Sequence, residues 1–131
     1  MIGTKSHPAA SVFTSSLPWL ASTYADWGSD RLVERVVALR AMLAAQMSLP
    51  QVIYFHCDCG CDRTGQLAGG YMMRYHGSSW DLAVAYNRAV AGRPQTCPTH
   101  RQMQWYCVYL NLALGLATTG NCLAEHLCTP I

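Results

Sequence analysis

The chain has 131 residues, which fits one compact domain spanning 1–131, with looser structure expected in 1–25 and 118–131. Half of it is hydrophobic (51%) and 12% is charged, which excludes an intrinsically disordered chain. The formal net charge of +2 comes from scattered residues, so we expect no nucleic-acid partner. The longest apolar stretch, 105–117, is too short to span a membrane.

Apolar periodicity predicts one helix, one strand and then three further helices. Residues 29–47 place leucine and valine at helical spacing, and Ser29 or Asp30 is suited to cap the first turn. The run QVIYFH at 51–56 is apolar, β-branched and aromatic, which is typical of a buried strand. The other helices are expected at about 64–75, 79–90 and 99–116.

A strand between helices predicts an α/β fold with a small central sheet flanked by helices. One strand is too few for a sheet. We therefore expect the remaining strands in 1–25, where Val12 and Phe13 favour strand, or before Met1.

The segment HCDCGCDRTG, residues 56–65, lies between the predicted strand and a predicted helix. A loop that enters a helix N-terminus turns backbone N–H groups inward, and the helix dipole adds positive charge, so such a loop binds anions. Cys57 among these dipoles is expected to be a thiolate. Arg63, six positions later, can hold two phosphate oxygens with its planar guanidinium.

This segment resembles the signature of the protein-tyrosine-phosphatase superfamily, in which five residues separate a Cys from an Arg that Ser or Thr follows. Its CxxGxDRT form resembles the myotubularin phosphoinositide phosphatases, whereas RQMQWYCVYL at 101–110 is similar to the tyrosine and dual-specificity branches. The resemblance covers about 24–112. It implies a phosphomonoester hydrolase that works through a phosphocysteine, without metal or cofactor, on a phosphoprotein. A monophosphorylated phosphoinositide is the alternative substrate.

Within the loop, Cys57 is the expected nucleophile and Arg63 the phosphate clamp, while Thr64 hydrogen-bonds the sulfur and His56 fixes the loop. The residues expected to surround the phosphate are Asp58, Cys59, Gly60, Cys61, Asp62 and Arg63. The two aspartates should repel a ligand that carries several phosphates.

The family also uses an aspartic acid to protonate the leaving oxygen. Asp26, in the sequence YADW, resembles the Trp-Pro-Asp loop of tyrosine phosphatases without its proline. Asp62 competes for this role, because myotubularins are proposed to use the aspartate before the arginine; the alternative for Asp62 is a structural carboxylate. Gln102 or Gln104 is expected to position the water that hydrolyses the phosphocysteine.

Seven cysteines leave at least one thiol unpaired, which suits a reactive cysteine. Cys107 is expected in the core. The cysteines in polar or terminal segments, where disulfides would form in an oxidising compartment, are Cys97, Cys122 and Cys128. The cysteine count leaves the compartment open.

Three alternatives remain for the loop. Its cysteines and His56 have the chemistry of zinc ligands, although alternate residues on a tight loop do not easily close a tetrahedral shell. A second hypothesis is that Cys59 or Cys61 protects an oxidised Cys57 by forming a disulfide with it. The chain is also compatible with a pseudophosphatase that binds phosphate without turnover.

Overall fold

The structure is a computed structural model that describes residue 10 and residues 30–130. Its four α-helices are α1 (Leu32–Ala44), α2 (Asp62–Tyr75), α3 (Trp80–Ala91) and α4 (Cys97–Leu112), followed by a 3-10 turn, Ala117–Thr119. The second helix contacts each of the other three, so it lies at the centre of the domain. In the described part of the chain, no helix is long and apolar enough to cross a membrane.

The prediction of an α/β fold with a small central sheet is wrong, because residues 30–130 contain four helices and no strand. The predicted strand, 51–56, is irregular. Val52 is 95% exposed and Tyr54 is 83% exposed, whereas Ile53 and Phe55 pack partly against the core. A strand requires a neighbouring backbone as well as an apolar sequence, and this run meets side chains on one face only.

The central position of α2 depends on glycines that let its neighbours approach closely. A Cβ atom at Gly69 would overlap the sulfur of Met103, a buried residue of α4. One at Gly70 would lie 3.2 Å from both Tyr106 and Val36. A Cβ atom at Gly69 would also lie 3.1 Å from Asn87 of α3, so three helices pack against α2 at positions without side chains.

The start of α1 is fixed by Asp30, whose carboxylate accepts a hydrogen bond from the backbone N–H of Leu32 at 3.2 Å. The N-cap residue itself is Arg31, which makes no side-chain cap bond, so Asp30 acts on the first turn from one residue before the cap; Ser29, the other predicted cap, lies outside the described residues. Arg31, between Asp30 and Leu32, adopts a left-handed conformation with φ of 56°. The chain thus turns sharply at the residue before α1, which holds Asp30 over the helix start.

Two disulfides attach the C-terminal segment to α4. Cys97, the first residue of α4, pairs with Cys128, and Cys107 in its middle pairs with Cys122. Cys107 is fully buried, as expected, but it is also disulfide-bonded. Next to the first disulfide, the backbone of Thr129 accepts a hydrogen bond from the N–H of Cys97 and donates one to the carbonyl of Gln95.

Candidate active site

The sulfur of Cys57 lies where the following loop closes on itself. The Thr64 hydroxyl donates a hydrogen bond to it over 3.1 Å. The backbone N–H groups of Gly60, Cys61 and Thr64 also donate to it. The segment 57–64 therefore surrounds the sulfur with four inward-pointing donors, as an anion-binding loop at a helix N-terminus requires.

These donors change the acidity of the thiol. Partial burial by itself raises the pKa of Cys57, because it disfavours the charged form. The hydrogen bonds from Thr64, Gly60 and Cys61 together outweigh burial and lower the pKa from 9.0 to about 6. At neutral pH the group is mainly a thiolate, which is the form that reacts as a nucleophile.

The backbone path of the loop follows from local sequence. Gly60 has φ of 70°, in the left-handed region that glycine occupies without strain. Cys59 and Cys61, on either side of it, form a disulfide that holds the turn, while Cys57 is the free cysteine. Helix α2 begins at Asp62, so the backbone N–H of Thr64 in its first turn is directed towards the sulfur.

Asp62 is held by an ion pair outside the loop. Its two carboxylate oxygens accept hydrogen bonds from Arg93 at 2.8 and 3.2 Å, and one of them accepts a third from the backbone N–H of Thr96 at 2.7 Å. The Arg93 guanidinium is the main cause that lowers the pKa of Asp62; burial opposes it, and Thr96 adds to it. The carboxylate is therefore charged at neutral pH and fixes the loop against the segment before α4.

Two buried amides brace the first turn of α2 from the same side. Gln95 donates to the backbone carbonyl of Asp62 over 3.0 Å, and Asn87 donates to that of Gly65 over 2.8 Å. Asn87 also contacts the Gln95 side-chain oxygen at 3.3 Å. Sequence reasoning missed these two residues and the pairing of Arg93. In the sequence, Asn87 is one polar residue within a predicted helix and Gln95 is one polar residue within a predicted loop. Neither position indicates which group the amide contacts.

The remaining predicted loop residues face solvent. Arg63, Asp58 and His56 are exposed, and no described residue forms a hydrogen bond or ion pair with the Arg63 guanidinium. One ring nitrogen of His56 lies 3.3 Å from the carbonyl oxygen of Cys57. Arg63 follows directly on Asp62 in the first turn of α2, where its side chain is available to an incoming anion.

The two predicted glutamines occupy different environments. Gln102 accepts a hydrogen bond at 3.1 Å from Gln66, a buried residue of α2 that also donates to Asp30 at 2.6 Å. Gln104 is fully buried and donates to the backbone carbonyl of Cys122 at 3.0 Å. Only Gln102 is thus joined to the helix that carries the loop, and Gln104 stabilises the attachment of the C-terminal segment.

Two further expectations concern the general acid and the zinc alternative. Asp26, the expected general acid, lies outside the described residues. For the zinc alternative, the described part of the chain holds no group of three His, Cys, Asp or Glu side chains arranged around a metal position. Cys59 and Cys61 are bonded to each other, so in this form neither is a thiolate ligand.

No family model, curated protein or solved structure matches the chain. Arguments about function therefore depend on the chemistry of the site itself.

Proposed function

We propose that this chain is a cysteine-dependent phosphomonoester hydrolase that acts on phosphoprotein substrates. The observation that supports the proposal best is the environment of the Cys57 sulfur, which accepts hydrogen bonds from the Thr64 hydroxyl and from three backbone N–H groups. The same donors that stabilise a thiolate can stabilise the oxygens of a phosphoryl group bound above it.

In the proposed first step, the Cys57 thiolate attacks phosphorus in line with the leaving oxygen. The phosphorus–oxygen bond breaks as the sulfur–phosphorus bond forms, and Arg63 binds two of the equatorial oxygens. In the second step, water attacks the phosphorus of the phosphocysteine and the sulfur–phosphorus bond breaks. Inorganic phosphate and the Cys57 thiolate are the products. The Thr64 hydroxyl stabilises that leaving thiolate through the hydrogen bond that it already makes.

We propose Asp26 as the acid that protonates the leaving alcohol, with Asp62 in a supporting role. A general acid must carry a proton at the working pH. The ion pair with Arg93 keeps Asp62 ionised and occupies both of its oxygens. Asp26→Asn should then slow the first step strongly, whereas Asp62→Asn should alter the pH dependence of Cys57 reactivity because it loosens the loop. The opposite pattern of first-step rates would assign the acid to Asp62.

For the substrate, we propose a single phosphate group on a protein side chain. The loop carries two aspartates and one arginine, so its charge matches one phosphate better than several. A monophosphorylated phosphoinositide has the same phosphate chemistry, so the two sources are compared directly. Release of phosphate from phosphotyrosine peptide should exceed release from monophosphorylated phosphoinositide in the same assay.

The decisive test is hydrolysis of an aryl phosphate by the purified chain. Cys57→Ser should abolish turnover while phosphate binding remains, and Arg63→Ala should weaken both. Arg88→Ala is the matched control, since Arg88 is an exposed arginine on α3 outside the loop and should leave both unchanged. Phosphate binding without turnover in the unaltered chain would refute hydrolysis and identify a binding module instead.

A further inference from the structure

The loop contains three cysteines at alternate positions, and the structure pairs them unequally. Cys59 and Cys61 form a disulfide, while Cys57 keeps its thiol. This differs from simple protection of an oxidised Cys57, which would leave that residue in the bond. The reactive thiol is thus free next to a pair that has already lost two electrons.

We propose that Cys59 and Cys61 form a resolving dithiol that reduces Cys57 after a peroxide oxidises it. The observed pairing is the end state of this relay, with Cys57 regenerated. The proposal rests on the thiolate character of Cys57 and does not require phosphoryl transfer, so it can hold even if the chain hydrolyses no phosphate ester.

The relay balances in three steps. The Cys57 thiolate attacks hydrogen peroxide, the O–O bond breaks, and a sulfenic acid and hydroxide form. The Cys59 thiolate then attacks the Cys57 sulfur and displaces hydroxide, which forms a Cys57–Cys59 disulfide. Finally the Cys61 thiolate attacks the Cys59 sulfur and releases Cys57 as a thiolate. In total, one peroxide and two thiols give one disulfide and two waters, with hydroxide protonated by thiol protons.

Two features of the loop fit this order of steps. The backbone N–H of Cys61 donates to the Cys57 sulfur, so the chain folds the third cysteine back towards the first. One residue separates Cys57 from Cys59, which is the same spacing across which Cys59 and Cys61 already form a bond.

Arg93 supplies the reason for Cys59 to act first. Its guanidinium lies 3.6 Å from the Cys59 sulfur and interacts electrostatically with Cys57. A neighbouring guanidinium favours the thiolate form of a cysteine. In the reduced loop, Arg93 should therefore make Cys59 the better nucleophile towards the sulfenic acid.

The test begins with protein in which mild reduction has opened the exposed loop disulfide and left the two disulfides of α4 intact, as checked by mass. One equivalent of hydrogen peroxide is added, and the protein is cleaved on the N-terminal side of aspartate. Cleavage before Asp58 and Asp62 separates Cys57 from the tetrapeptide Asp58-Cys59-Gly60-Cys61. A Cys59–Cys61 bond then lies within one peptide, whereas a bond to Cys57 joins two peptides.

We expect the unaltered chain to show a free Cys57 thiol and a tetrapeptide two hydrogens lighter. Cys61→Ser should stop the relay midway and yield cross-linked peptides containing Cys57 and Cys59. The double variant Cys59→Ser, Cys61→Ser should accumulate sulfinic or sulfonic acid at Cys57 at least tenfold faster under repeated peroxide. Equal over-oxidation of Cys57 in the unaltered chain and in the double variant would overturn the proposal, as would the absence of a cross-link in Cys61→Ser. Because every readout is a mass, failure of phosphate ester hydrolysis does not affect the result.

Discussion

Removal of the Thr64 hydroxyl should reduce the reactivity of Cys57 in a pH-dependent way. With a pKa of about 6 for Cys57, roughly 90% of the sulfur is thiolate at pH 7; with the ordinary value of 9.0 it would be roughly 1%. The Thr64 hydroxyl is the largest single contribution among those that lower this pKa.

A hydrogen bond to a charged group contributes about 1.5–3 kcal/mol, and partial exposure of this sulfur favours the lower end. Thr64→Ala should thus lower the ratio of thiolate to thiol about tenfold and move the midpoint of titration from about 6 to about 7. Thr64→Ser keeps the hydroxyl and should keep the midpoint. At pH 6 the alanine variant should react about fivefold more slowly, and the two proteins should converge above about pH 8.

The assay is the rate of alkylation by iodoacetamide as a function of pH, without reductant. Cys57 is the only free thiol of the seven cysteines in this form, so the reaction reports on it alone. An unchanged midpoint in Thr64→Ala would show that the hydroxyl does not hold the sulfur. A midpoint near 9 in the unaltered chain would refute the closed loop as a whole.

Three other perturbations test the packing and the proposed hydrolysis of the phosphocysteine. Gly69→Ala should lower the free energy of unfolding by about 1–3 kcal/mol, measured by urea denaturation, because the added methyl group overlaps Met103. Burial of His100 lowers its pKa from 6.5 to about 4, so this side chain binds a proton more readily in the unfolded chain. The free energy of unfolding should therefore fall by about 3 kcal/mol as pH falls from 6.5 to 4. His100→Gln should flatten that pH dependence. Gln102→Ala should prolong the phosphocysteine in rapid-quench experiments, whereas Gln104→Ala should change the midpoint of unfolding and leave that lifetime unaltered.

The helices of this fold could be predicted from sequence because their signals are local. The predicted segments 29–47 and 64–75 correspond to Leu32–Ala44 and Asp62–Tyr75. Each has apolar residues at helical spacing. Each also has a residue at one boundary, Asp30 before the first and Gly77 after the second, that acts within one helical turn. Asp30 acts on the residue two positions later, which is within reach of sequence reasoning.

The sheet could not be judged in the same way, because strand formation depends on a partner that the run itself does not specify. An apolar run of six residues is equally compatible with a buried strand and with an irregular segment that covers helices on one side. In the structure Ile53 and Phe55 face the core and Val52 is almost fully exposed. Residues 52–55 are all apolar or aromatic, so the sequence itself does not distinguish the two faces, and the predicted burial of both faces was wrong.

The braces of the site were unpredictable for a related reason. Arg93 and Asp62 are 31 residues apart, and Gln66 and Asp30 are 36 apart. Only the packing of three helices around α2 brings these pairs together. The residue types permitted many such pairings, and nothing in their spacing selected one.

The chemistry of the loop and its support therefore have different origins. All donors to the Cys57 sulfur come from within seven residues of it, so the loop and the first turn of α2 can create a reactive thiolate without a sheet beneath them. The ion pair between Arg93 and Asp62 comes from the packed domain and holds that first turn in position. If this division is correct, disruption of the ion pair should broaden or shift the titration of Cys57 less than loss of the Thr64 hydroxyl, because the distant contact acts on the sulfur only through the backbone that it fixes.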